Sequence, residues 1–179
     1  MIHESWTWRQ DLLKYAKFLR SKLHQKRWTD ASFVRTEQAV MIGLYAIRKL
    51  RESRKLTDAF AASGVKVDRL PLIPGQIVTS GNRHRVEELY DFDRETRMEL
   101  CVMDLCNQVI HSYVLTWLFA ETGLILGFLV ASDRIRNSHA YVLALDDVAR
   151  LFETAGKNKV RQIRAVFNDE VQDYDASLS

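Results

Sequence analysis

Proline and glycine are scarce in this sequence, which contains 2 Pro and 7 Gly among its 179 residues. This scarcity excludes a loop-rich or low-complexity chain, because such chains are enriched in both residues. The 179 residues fit one domain, residues 1–179, and a domain of this size buries about 70% of the surface that its unfolded chain exposes. We therefore expect a soluble globular protein with a substantial apolar core.

Cysteine is equally scarce, since the sequence contains only Cys101 and Cys106. On one helix this spacing directs the two side chains to different faces, so a disulfide between them is not expected. There is no second cysteine pair, and the histidines are not spaced as zinc ligands, so we predict no metal and no cofactor. The first ten residues lack the apolar core of a signal peptide, and a reduced, cytoplasmic setting is the simplest expectation.

Long uncharged stretches are rare, and the longest one has the features of a hairpin. Residues 113–131 contain a single charge, Glu121, in 19 residues, which is long enough to span a membrane. The turn residues around Gly123 divide the stretch into two arms of strand length that are rich in β-branched and aromatic residues. We predict a β-hairpin that is covered on both faces or lies within a sheet, and no membrane partner.

Positive and negative charges are unevenly distributed, although the net charge is only +3. Residues 1–85 contain 17 Lys and Arg against 7 Asp and Glu, a charge of +10, whereas residues 86–179 contain 9 against 16, a charge of −7. Such an asymmetry favours an electrostatic partner for the basic part of the chain. Nucleic acid, an acidic protein and the chain's own acidic half are all candidates for that partner.

Three helices are predicted before the hairpin. Apolar residues recur every three or four positions over residues 5–27 and again over residues 32–62, which predicts two long amphipathic helices in a basic helical half, residues 1–64. Residues 65–92 hold both prolines and are predicted to be a linker that is irregular or has short edge strands. A third helix is predicted over residues 93–110.

The remaining part, residues 93–179, is predicted to combine the third helix with strands. The hairpin 113–131 is followed by a strand at residues 141–145 and by a short C-terminal helix that ends at Gly156. Apolar residues beyond Gly156 keep a helical spacing, and the last ten residues are expected to be frayed. The predicted fold class is therefore α+β, with two long N-terminal helices and a third helix packed with a small antiparallel sheet.

The segment DLCNQVIHSY, which runs from Asp104 to Tyr113, contains the first candidate site. On a helix, Asn107 and His111 share a face with Asp104. A histidine beside an amide and a carboxylate is a typical general acid or base for phosphodiester chemistry. Asn107 and His111 are the candidate catalytic residues, and a capped helix end with a purely structural histidine is the alternative.

The six residues CNQVIH, 106–111, resemble the motif of HEPN-domain ribonucleases. That family carries an Arg, a polar residue and a later His on a helix of an all-helical bundle. Asn107 matches the polar position and His111 matches the histidine, but Cys106 occupies the position of the Arg. This difference removes the fixed cation that would hold a scissile phosphate. The resemblance implies a metal-independent ribonuclease that is degenerate at its Arg position.

The polar loop SDRIRNSH, residues 132–139, is the second candidate site. It contains Arg134, Arg136 and His139, and guanidinium groups bind phosphate or carboxylate through paired donors. Because the second arm of the hairpin returns towards the third helix, we expect Arg134 or Arg136 to lie beside His111 and supply the missing cation. Asn107 is expected to orient either the histidine or the ligand. A solvated loop whose charges pair with one another is the alternative.

The basic run RKLRESRK, residues 48–55, is the third candidate site. On a helix, Arg48, Arg51 and Lys55 share one face, as in proteins that bind nucleic acid. The aromatic residues that could stack on bases are Trp6, Trp8 and Trp28, although their helical spacing favours core packing. A solvated outer face without a partner is the alternative.

Together these features favour a non-enzymatic interaction module whose basic helical face binds RNA, DNA or an acidic protein. The alternatives are a metal-independent ribonuclease and a structural or homo-oligomerising subunit, and the sequence does not decide whether the protein is an enzyme. The surroundings of His111 distinguish them. A histidine that faces a cleft beside an arginine favours the enzyme, whereas a histidine buried against backbone favours a structural role.

Overall fold

The structure is a computed structural model that describes residues 2–168, 170 and 172–179. The fold is α+β, as predicted, and is built on a five-stranded antiparallel sheet. Within the described residues, the helices are α1 (Ser5–Lys22), α2 (Asp30–Glu52), α3 (Asp58–Ala61), α4 (Val86–Leu89), α5 (Val102–Ile110) and α6 (Leu145–Lys157). The strands are β1 (Gly64–Pro71), β2 (Thr96–Cys101), β3 (Ser112–Phe119), β4 (Ile125–Ser132), β5 (His139–Ala144), β6 (Ile163–Asn168) and β7 (Asp173–Leu178).

The sheet has the strand order β2-β1-β5-β4-β3, and neighbouring strands are antiparallel. The predicted hairpin is present as β3 and β4, with its turn at the predicted position. β4 is buried on both faces, because Phe128 and Val130 join the core under the helices while Leu129 and Ala131 join a second core on the opposite face. This two-sided burial explains why both arms of the hairpin are apolar.

Helices cover one face of the sheet, and residues 72–90 cover the other. α1 packs against α2 and α6, and α2 packs against α5. On the opposite face, Val78, Val86 and Leu89 lie against the sheet, and the Tyr90 hydroxyl donates to the carbonyl oxygen of Arg136 at 2.9 Å. Burial raises the pKa of Tyr90 to about 12. Residues 65–92 were predicted to be a linker. They instead supply strand β1 and the segment that covers the sheet face opposite the helices.

The first two helices are shorter than predicted. α1 ends at Lys22, five residues before the predicted end, and α2 ends at Glu52, ten residues before it. α2 closes with a Schellman motif, in which the N–H of Lys55 donates to Leu50 and the N–H of Arg54 donates to Arg51. Arg54 holds the left-handed position of that motif, with φ at 57°. Glycine usually holds this position, so the sequence contains no signal for the end of α2.

The predicted third helix is only half helical. Residues 96–101 form β2, which pairs with β1, and helix α5 begins at Val102. The apolar residues of this segment fit a helical period, but pairing with β1 determines the conformation of its first half. β1 itself pairs with β2 and β5, so it is an interior strand and not the predicted edge strand.

The C-terminal segment is a two-stranded antiparallel hairpin of β6 and β7. The helical spacing of apolar residues beyond Gly156 wrongly indicated a helix. Ile163, Val166 and Phe167 instead lie on strand β6, where their side chains are exposed. The last ten residues, of which Val171 lies outside the described part, were predicted to be frayed, but residues 173–178 pair with β6. No helix in the described part of the chain is long and apolar enough to cross a membrane.

Candidate functional site

The predicted histidine lies at the end of α5, where three parts of the chain meet. α5 packs against α2 and β4, and the loop after β4 begins beside its last turn. A cleft of about 520 Å³ opens at this junction. We call it the His111 cleft, and its lining residues are Arg48, Asp104, Asn107, Gln108, His111, Ser132, Asp133 and Arg134.

His111 is exposed in this cleft and contacts an arginine from another helix. Nη1 of Arg48 lies 3.4 Å from Nε2 of His111. Because a guanidinium group only donates hydrogen bonds, this contact requires Nε2 to be an acceptor and places the proton of the neutral ring on Nδ1. Nε of Arg48 also donates to Glu52 at 2.9 Å, which fixes the direction of the guanidinium. Arg48 thus places a cation beside His111.

Further donors on the cleft wall have no described partner. Arg134 makes no hydrogen bond or ion pair with the residues that the structure describes, and the same holds for the side chain of Asn107. The amide oxygen of Gln108 accepts from the backbone N–H of Ser132 at 3.3 Å, which directs the amide nitrogen elsewhere. Two guanidinium groups and uncharged donors therefore line one cleft, an arrangement that suits a phosphate.

Two carboxylates also line the cleft and limit its positive charge. Asp133 accepts from Nε of Arg136 at 2.8 Å, so its charge is already paired. Asp104 makes no ion pair within the described residues. The cleft therefore combines acidic, basic and neutral groups, and this mixture is compatible with proton transfer as well as with anion binding.

Cys106 faces away from the cleft. It is fully buried in the core beneath the helices, and burial raises the pKa of its thiol to about 12. A thiol in this state is neutral and cannot contact a ligand in the cleft. Cys106 therefore has no part in the site. The position that aligns with the Arg of the HEPN motif is a core position in this fold.

Two residues of the predicted loop site lie outside the cleft. Arg136 donates to the carbonyl oxygen of Val78, and its guanidinium lies 4.1 Å from the centre of the Tyr113 ring. It thus attaches the segment that covers the sheet. His139 contacts Arg69 through Nδ1 at 3.3 Å and the Tyr141 hydroxyl through Nε2 at 3.0 Å. Of the two arginines predicted to flank His111, only Arg134 lines its cleft.

The predicted basic helical face is divided by the early end of α2. Arg48 reaches the His111 cleft, whereas Arg51 forms an ion pair with Asp58 at 2.6 Å. Lys55 lies beyond the end of the helix and lines a different pocket, at the start of α1. The three residues therefore do not form one stripe. Sequence reasoning did not place Arg48, Gln108 or Ser132 beside His111. Nothing in the local sequence indicates that these three residues line its cleft.

No family model, no curated protein and no solved structure matches this chain. The described residues contain no group of three or more His, Cys, Asp or Glu side chains that could hold a metal ion. The resemblance to HEPN ribonucleases therefore stays a prediction, and the functional argument depends on the geometry of the His111 cleft.

The environment of His139 predicts acid sensitivity. Burial, and secondarily Arg69, lowers the pKa of His139 from 6.5. The unfolded chain then binds more protons than the folded protein, so the free energy of unfolding should fall as the pH drops below about 6.5. We expect His139→Gln to lose less stability than the wild type between about pH 7.5 and about pH 5, measured by urea unfolding. An equal loss in both proteins would contradict this, and His24→Gln is the exposed control.

Proposed function

We propose that the protein binds single-stranded nucleic acid and holds one backbone phosphate in the His111 cleft. The observation that carries this proposal is the convergence of Arg48 and Arg134 on one cleft, with Arg134 unpaired among the described residues. A guanidinium presents several fixed donors, which match the oxygens of a phosphate. The amides of Asn107 and Gln108 add neutral donors on the same wall.

The distribution of ion pairs supports an external partner for the basic half. Of the described cations in residues 2–85, Arg20 pairs with Asp146 and Glu153, and Arg85 pairs with Glu88. The other ion pairs made by described cations of residues 2–85 are with carboxylates of the same half of the chain. Most of the excess positive charge is therefore not neutralised within the fold by direct ion pairs. Nucleic acid is favoured over an acidic protein because two guanidinium groups and two amides line the same cleft, and these donors match the several oxygens of a phosphate.

Single charge removals test this proposal. We expect Arg48→Gln and Arg134→Gln each to weaken binding of a single-stranded RNA or DNA octamer by about tenfold, since hydrogen bonds to charged groups contribute about 1.5–3 kcal/mol. Each variant should also reduce the slope of log affinity against log salt by about 0.7, the value for one phosphate contact on a single strand. Fluorescence anisotropy at several salt concentrations measures both quantities.

Lys17→Gln is the matched control, because it removes one charge from an exposed residue that makes no described ion pair. Equal affinities and slopes for Arg134→Gln and Lys17→Gln would remove the cleft from the binding site. Binding of polyglutamate with the same dependence on Arg48 and Arg134, and no binding of either octamer, would replace nucleic acid by an acidic protein as the partner.

RNA cleavage is a second candidate function, and the contact between Arg48 and His111 favours it. His111 faces a solvent cleft, and Arg48 places a cation beside it. In such a site, the phosphate takes up the Arg48 guanidinium, and the freed Nε2 of the neutral imidazole accepts the proton of a ribose 2′-hydroxyl. The 2′-oxygen attacks the phosphorus and the bond to the 5′-oxygen breaks. The 5′-oxygen leaves with a proton from the imidazolium or from solvent, and the other product is a 2′,3′-cyclic phosphate. Arg48 and Arg134 would stabilise the charge that develops on the phosphate oxygens. This candidate requires RNA, whereas the first does not.

A further inference from the structure

A second pocket, of about 390 Å³, lies at the start of α1 and is lined mainly by basic residues. It is bounded by the reverse turn after α2 and by the segment between α6 and β6. We call it the basic pocket, and the residues that matter to it are Trp6, Arg9, Arg54, Lys55, Lys159 and Arg161. No Asp or Glu of the described chain lines it.

Arg9 is a buried cation without a described counter-ion. Arg9 is only 7% exposed, and its guanidinium donates hydrogen bonds to the carbonyl oxygens of Ala155 and Lys55. Burial lowers the pKa of Arg9. Carbonyl partners satisfy hydrogen bonds but do not neutralise a charge, and a buried charge is unfavourable unless it is paired. An anion in the pocket would supply the missing compensation.

The other four cations face the same space with few competing partners. Nη2 of Arg54 donates to the carbonyl oxygen of Tyr174 at 2.8 Å, so the guanidinium is positioned but not neutralised. Lys55, Lys159 and Arg161 make no ion pair within the described part of the chain. The left-handed conformation of Arg54 reverses the chain at the end of α2, and Arg54 and Lys55 both line the pocket from this turn. The pocket thus concentrates positive charge that no carboxylate of the described residues neutralises.

Trp6 adds a flat apolar surface to the pocket. It is 64% exposed, unlike Trp28, which packs against Phe33 and Phe119. An exposed tryptophan beside cations is the usual arrangement for a stacked base next to its phosphate. Trp8 is partly buried against the core, so Trp6 is the tryptophan placed for stacking at this pocket.

We infer that the basic pocket binds a nucleoside phosphate, with the phosphate on Arg54, Lys55, Lys159 and Arg161 above Arg9 and the base stacked on Trp6. The pocket lies on different elements from the His111 cleft, and the inference does not depend on the function proposed for that cleft. The nucleoside phosphate is either a free nucleotide or the 5′ end of a strand. Both sources present the same chemical group, and the experiment below separates them.

Isothermal titration of the full chain with AMP, adenosine and inorganic phosphate tests the inference. We expect AMP to bind more tightly than either of the other two ligands, because only AMP engages both the cations and Trp6. The variant Arg54→Gln, Arg161→Gln should weaken AMP binding by at least about tenfold. Trp6→Ala should weaken AMP binding by about fivefold or more and leave the affinity for inorganic phosphate unchanged.

Lys17→Gln is the control, and it should bind AMP as the wild type does, because Lys17 is exposed and lies outside the basic pocket. A 5′-phosphorylated RNA octamer that binds more tightly than its 5′-hydroxyl form, with the difference lost in Arg54→Gln, Arg161→Gln, assigns the site to strand ends. Equal binding of the two octamers beside tight AMP binding assigns it to free nucleotides. AMP that binds no better than adenosine, or that is unaffected by the pocket variants, would overturn the inference.

Discussion

Under the second candidate function, RNA cleavage, replacing His111 with alanine is expected to lower the cleavage rate of single-stranded RNA by at least about 100-fold, the lower limit of typical general acid–base catalysis. The affinity for RNA should change little, because Arg48 and Arg134 remain in the cleft. His111 is exposed, and among the described residues its side chain makes one long hydrogen-bond contact, to Arg48 at 3.4 Å, so the substitution should not disturb the fold. Single-turnover cleavage of a labelled RNA octamer measures the rate.

His24→Ala is the control for this prediction, since His24 is an exposed histidine outside the cleft. Equal cleavage rates in the wild type and in His111→Ala would reject the catalytic role of His111. A wild-type protein that binds RNA without cleaving it would reject the second candidate function and leave the binding function in place. A DNA octamer, which has no 2′-hydroxyl, should be bound but not cleaved.

We expect Gly127→Ala to destabilise the protein by about 3 kcal/mol or more, the upper part of the range for overpacked cores. A Cβ on Gly127 would lie 1.8 Å from the carbonyl oxygen of Leu143 and 3.0 Å from Cα of Ala144. Both atoms belong to the backbone of the paired strand β5, and β4 is buried on both faces. Relief of this clash would require the backbone of β5 to move, because no flexible side chain is involved. The midpoint of urea unfolding measures the effect.

Gly81→Ala is the matched control, because the nearest atom to its added Cβ is Oγ1 of Thr79 at 3.8 Å. It should unfold at nearly the wild-type urea concentration. If Gly127→Ala unfolded at the same concentration as Gly81→Ala, the close approach of β4 and β5 would be contradicted, and with it the interior position of β4 in the sheet.

The sequence predicted elements whose signals are local and failed where the determinant is distant. The hairpin of β3 and β4 follows from turn residues between two apolar arms, and α6 follows from a helical pattern that ends near Gly156. The interior position of β1 was missed because its segment contains both prolines, which favour irregular structure or an edge strand, and only its partners β2 and β5 make it an interior strand. The composition of a segment does not reveal which strands it pairs with.

The end of α2 was missed for a local reason. Arg54 adopts the left-handed conformation that usually requires glycine, with φ at 57°. The pattern of basic and apolar residues continues past this point, so the sequence predicts one long helix and one basic face. The turn instead separates Arg48, in the His111 cleft, from Lys55, in the basic pocket.

The candidate site was predicted only as far as helical spacing and chain direction allow. Asn107 and His111 share a face of α5, and the return of β4 brings Arg134 to the same cleft. The contact of Arg48 with His111 joins residues 63 positions apart and depends on how α2 packs against α5. Such packing has no signature in a single sequence, so the cation that completes the site could be identified only from the structure.

The most direct test of the phosphate site in the His111 cleft is the imidazole NMR spectrum of the protein during titration with a single-stranded RNA octamer. The signals of His111 are assigned by their loss in His111→Ala. We predict that they shift as RNA binds, that the signals of the exposed His24 stay in place, and that Arg134→Gln moves the His111 transition to higher RNA concentration. RNA that binds while the His111 signals remain unshifted would contradict the proposed site.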